Sequence, residues 1–74
     1  MKANAAILDI LDQQGVTQAT LANRLGIDRR LLNRKLHMDN PTMETLKKTA
    51  LLLGYKIVLM PDTQPTPKGG YDIE

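Results

Sequence analysis

Apolar residues recur along the first 54 positions at helical spacing, and small polar residues and glycines interrupt them where helices would begin and end. Ile7, Leu8 and Leu11 stand at i, i+1 and i+4, with Asp9, Asp12 and Gln13 on the water side, which predicts a first helix over 4–14 ended by Gly15. Leu21, Ala22 and Leu25 predict a second helix over 17–25 with these three facing inward. Leu32 and Leu36, at i and i+4, predict a third from 28 to 37. Met43, Leu46, Ala50 and Leu53 form a buried stripe that predicts a fourth over 42–53, followed by Gly54. Leu51 and Leu52 widen that stripe beyond what a small monomer needs, a sign that another surface covers it. The pattern then changes. Tyr55, Ile57, Val58, Leu59 and Met60 surround a single charged residue, Lys56, between Gly54 and Pro61, and the segment 55–60 reads as a β-strand that is apolar on both faces.

The short polar residues explain where the helices start. Thr17 can accept a hydrogen bond from the N–H of Thr20, with Val16 and Leu21 spaced as a hydrophobic staple. Asp28 caps the next helix, with Ile27 and Leu32 as its staple, and Thr42 caps the fourth. Gly26 supplies the left-handed residue needed to end the second helix and turn into the third. Two capped helices across so tight a turn form a helix-turn-helix, whose second helix is the candidate DNA reader.

Gln18, Leu21-Ala22, Leu25-Gly26-Ile27 and Leu32 resemble the helix-turn-helix of the lambda-repressor/Cro-like (Xre) family, over roughly residues 7–54. The pattern departs from the family at Lys35, where an apolar residue is usual, and Leu36 follows it. The resemblance implies a mainly α, lambda-repressor-like domain of four to five helices. It also implies that the loop after the third helix and the start of the fourth touch the DNA backbone, where Asn40, Thr42 and Thr45 offer donors.

Composition narrows the rest. Seventy-four residues make one domain with a small core, and with neither Phe nor Trp that core is aliphatic. No Cys is present, so no disulfide or thiolate metal site exists. One His, no Gly-rich phosphate loop and no metal-spaced cluster argue against an enzyme and call for no cofactor. The Asp9/Asp12 pair reads as solvated helix surface. Acids break the apolar run near the N-terminus, and no run approaches the roughly 20 residues of a membrane span, so a cytoplasmic protein without a membrane role is expected.

The net charge of +2 matters less than its placement. Between Arg24 and His37 stand Arg24, Arg29, Arg30, Arg34 and Lys35 against the single acid Asp28. Arg29 and Arg30 occupy the first turn of the third helix, where the helix dipole disfavours cations by about 0.3–1 kcal/mol each. That local conflict indicates residues that answer to a partner. Arg grips guanine and Asn grips adenine with paired hydrogen bonds, so Arg29, Arg30 and Asn33 are assigned to base edges and Arg34 to a base or a phosphate. Thr17 and Gln18, at a helix N-terminus, would clamp a phosphate and set register. His37 either contacts phosphate or serves only as a favourable end charge, and Leu31 either packs or touches a thymine methyl, packing being favoured.

A lone strand leaves its backbone groups unpaired. Residues 55–60 are therefore assigned to a two-stranded ribbon with a second copy, through Tyr55, Ile57, Val58, Leu59 and Met60. Residues 1–60 form the DNA-binding domain with its dimerisation strand, and the polar, Pro/Gly-rich 61–74 form a flexible tail in which only Tyr71 and Ile73 are sizeable and apolar. Helices, a terminal strand and a tail also resemble the antitoxin of the Hip toxin–antitoxin module, which implies a dimer that represses its own operon and holds a toxin protein. The expected function is a dimeric, sequence-specific repressor acting on palindromic double-stranded DNA. The antitoxin is its more specific version, and a protein-interaction module on the same fold is the rival.

Overall fold

A computed structural model of the chain describes residues 1–37 and 41–73. Four α-helices occur among them: α1 (Ala3–Gln14), α2 (Gln18–Leu25), α3 (Arg29–His37) and α4 (Met43–Leu52).

Three of the helices end in the same way. The N–H of Gly15 donates to the Asp12 carbonyl and that of Val16 to the Leu11 carbonyl, at 3.2 and 2.9 Å. Gly26 and Ile27 repeat the pair of bonds onto Asn23 and Ala22, and Gly54 and Tyr55 repeat it onto Leu51 and Ala50. This is the Schellman closure, and it requires a left-handed residue; Gly26 has φ +71°. The residue after each glycine (Val16, Ile27, Tyr55) packs against the core. Val16 and Ile27 each have a second duty as the apolar residue just before the next cap. One side chain thus closes one helix and opens the next, so α1, α2 and α3 follow one another with little loop.

The caps fall where the sequence puts them. Thr17 Oγ1 accepts from the N–H of Thr20 at 3.1 Å, Asp28 Oδ1 from that of Arg30 at 2.7 Å, and Thr42 Oγ1 from that of Thr45 at 3.2 Å.

The core is aliphatic: Ile7, Ile10, Leu11, Leu21, Ala22, Leu32, Leu36 and Leu53 are buried together, with Leu8, Leu25, Ile27, Leu46 and Tyr55 around them. Leu21 is wholly inaccessible. Side-chain amides fasten both ends of α1 to other helices. Asn4 Nδ2 donates to the Lys35 carbonyl in the last turn of α3 at 3.3 Å, and Gln14 Nε2 donates to the Leu53 carbonyl at 2.8 Å. Each satisfies a carbonyl that a helix end leaves without an intrahelical donor.

Two expectations, at Met43 and Asp9, are corrected, and the strand at 55–60 is not seen among the described residues. Met43, assigned to the buried stripe, is 67% exposed. The residues that α4 and its C-cap bury are Thr49, Ala50 and Leu53, so the helix meets the core mainly through its C-terminal half, with Leu46 packed at the edge and Met43 outside. Asp9, placed on the water side, is half-buried and accepts hydrogen bonds from Gln13 and Tyr71. Residues 55–60 form no paired strand among the described residues; they carry neither helix nor turn, and Ile57, Val58, Leu59 and Met60 are exposed. Among the described residues no second strand occurs with which they could pair.

Candidate nucleic-acid interface

The buried residues of α3 are Leu32 and Leu36, which join the core beside Leu21 and Ala22 of α2. α2 packs directly on α3. This fixes what α3 shows to the outside. Arg29, Arg30, Asn33, Arg34 and His37 are all exposed. At 3.6 residues per turn these five fall within an arc of about 140° on one side of the helix. Leu31 borders that arc and Lys35 lies beyond it, between Leu31 and Leu32, and both are half-buried.

The electrostatics of the face follow from its order. No acid occupies the first turn of α3, and Arg34, Lys35 and His37 occupy its last turn, where the dipole favours them. The cap carboxylate of Asp28 on the N–H of Arg30 is the local anion that offsets the misplacement of Arg29 and Arg30. No ion pair engages these arginines among the described residues; the ion pair found there is Lys48–Glu44 on α4, at 3.3 Å. Unengaged guanidiniums in a row leave their fork of donors open to bases and phosphates.

Thr17 and Gln18 open α2. Thr17 is exposed and its side chain caps; Gln18 is half-exposed in the first turn. The N–H groups of Gln18 and Ala19 have no intrahelical carbonyl within reach. They lie at the positive end of α2, which suits a phosphate oxygen. Thr42 and Thr45 offer an equivalent start to α4, with the Thr42 hydroxyl donating to Thr45 Oγ1 at 2.9 Å. Asn40 lies outside the described residues.

The residues assigned to dimerisation divide in two. Tyr55 is half-buried, and its N–H is spent on the closure of α4, whereas Ile57, Val58, Leu59 and Met60 are exposed. Leu51 and Leu52 at the end of α4 are exposed as well, as the widened stripe foreshadowed. Tyr71 was given no site by the sequence, yet its ring packs on the core and lies 6.1 Å from that of Tyr55. The legible signal was Gly69-Gly70 immediately before it, a turn ahead of an aromatic residue.

These features define a class: a helix-turn-helix domain whose second helix carries an exposed basic and amide face. A family model for the helix-turn-helix matches residues 7–59, and the chain belongs to that family, the Xre/lambda-repressor type. It is a family of DNA-binding transcriptional regulators rather than of enzymes. Neither the curated proteins nor the solved structures contain a match. Among the described residues, no helix is long and apolar enough to cross a membrane.

Proposed function

We propose that this chain is a dimeric, cytoplasmic repressor that reads a palindromic operator with α3. The observation that carries the reading is that Arg29, Arg30, Asn33 and Arg34 are all exposed along one arc of α3 while Leu32 and Leu36 are buried. Two of those arginines sit where the helix dipole opposes them. Arg29, Arg30 and Asn33 contact base edges, and Arg34 a base or a phosphate. Thr17, Gln18, His37 and Asn40 hold the DNA backbone and set register. One subunit reaches few base pairs, and each good contact discriminates by only about 1–3 kcal/mol. A second copy, joined through 55–60, doubles the readout and places two α3 helices in successive major grooves about 34 Å apart.

The exposed Ile57–Met60 segment also suits the more specific reading, in which the repressor is an antitoxin that holds a toxin protein. A toxin gene beside the operator would identify it. The test of the DNA role is the double variant Arg29→Ala with Arg30→Ala, assayed on duplexes that the wild-type chain selects from a random pool. Affinity should fall by about 2–6 kcal/mol in total and discrimination among sequences should relax. Unchanged affinity would refute the DNA role and favour a protein-interaction module.

A further inference from the structure

Residues 61–73 follow a defined path. Gln64 N–H donates to the Pro61 carbonyl at 3.1 Å and Gly70 N–H to the Pro67 carbonyl at 2.9 Å, so the segment turns twice. A Cβ at Gly70 would stand 3.1 Å from that same Pro67 carbonyl, so the second turn is tight. It delivers Tyr71 to α1, where the hydroxyl donates to Asp9 Oδ2 across 62 positions of sequence. Gln13 Nε2 donates to the same carboxylate oxygen at 3.0 Å and holds it in place. The ring lies 6.1 Å from that of Tyr55, inclined at 54°, and both rings pack on the aliphatic core.

The two tyrosines bracket the apolar segment. Tyr55 is fixed by its bond to the Ala50 carbonyl, Tyr71 by Asp9, and between them Ile57, Val58, Leu59 and Met60 face outward, Leu59 at 99% exposure. Among the described residues, no backbone–backbone hydrogen bond engages residues 56–60. We propose that Tyr71 is a latch: docked on Asp9 and Tyr55, it closes residues 55–71 into one loop and holds Ile57–Met60 at the surface for pairing with the same segment of a second copy. The inference rests on the twofold reading proposed above. A second copy is the occupant because antiparallel pairing of identical segments satisfies the backbone groups of both at once. Closing the loop beforehand removes part of the ordering cost that association would otherwise carry. Tyr71 and Asp9 are positioning residues, since neither needs to touch the partner.

The test compares the full chain with Asp9→Asn and Tyr71→Phe by sedimentation equilibrium. Nuclear Overhauser contacts between the two tyrosine rings report the latch itself, and helical circular dichroism reports the body. The wild type should dimerise and show the ring contacts. Each variant should keep its helicity, lose or weaken the ring contacts, and dimerise at least about tenfold more weakly, since both subunits must then order an open loop as they pair. Variants that pair as tightly as wild type would overturn the latch and leave the dimer standing, as would a wild-type dimer without ring contacts. A wild-type chain that stays monomeric would overturn both.

Discussion

At the scale of single residues, the turn at Gly26 and the arginines of α3 show two kinds of constraint. Gly26 is a backbone requirement: a Cβ there would meet nothing within 4 Å, so the objection to a side chain is its φ of +71° alone. Gly26→Ala should therefore cost about 1–2 kcal/mol in urea unfolding without opening a clash or a cavity. Its DNA affinity should fall only as far as folded protein is lost. Arg29 and Arg30 are the converse case. They contribute nothing evident to the fold, being exposed and set against the dipole, and replacing them should leave the unfolding midpoint unchanged or raise it. A drop in stability comparable to the binding loss would mean that they brace the domain rather than read DNA. Both kinds of residue were legible in the sequence, because capping, turn chemistry and dipole placement depend on neighbours within four positions.

At the scale of elements, the tail and α1 meet through one contact that pH can dissect. The Tyr71 phenol is pushed up from 10.0 to about 12, first by its hydrogen bond to the Asp9 carboxylate, then by burial and by the charge of Asp9, with Tyr55 adding and Gln13 opposing. A phenol that holds its proton more tightly when folded stabilises the folded state fully below pH 10, and that contribution is lost as pH rises toward about 12. The stability difference between wild type and Tyr71→Phe should thus be constant from neutral pH up to pH 10 and shrink above it, measured by urea unfolding across a pH series. A difference that grew above pH 10 would contradict the contact. This element escaped the sequence reading for a physical reason. Asp9 and Tyr71 lie 62 positions apart, and nothing local marks either as the other's partner. Met43 escaped for a related one: periodicity gives the face of a helix but not how much of its length lies over the core.

At the scale of the whole molecule, the four helices make a finished aliphatic core, while 57–60 do not belong to it. Exposed Ile57, Val58, Leu59 and Met60 beside exposed Leu51 and Leu52 are costly to leave in water, and a second copy would remove that cost. Val58→Asp should split the dimer and weaken operator binding together, while helicity persists; a variant that stays dimeric would place the interface elsewhere. The strand-like composition of 55–60 and its want of a partner within the chain were readable in the sequence, and among the described residues the segment stays unpaired.

The measurement that bears most directly on the function is selection of binding sites from random duplexes by the wild-type chain, with the enriched set retested across a salt series. A dimeric reader using α3 should enrich an inverted repeat whose half-sites are centred about 10 base pairs apart, and its preference should survive added salt. Binding that falls steeply with salt and enriches no sequence would contradict it, reducing the arginines of α3 to phosphate contacts.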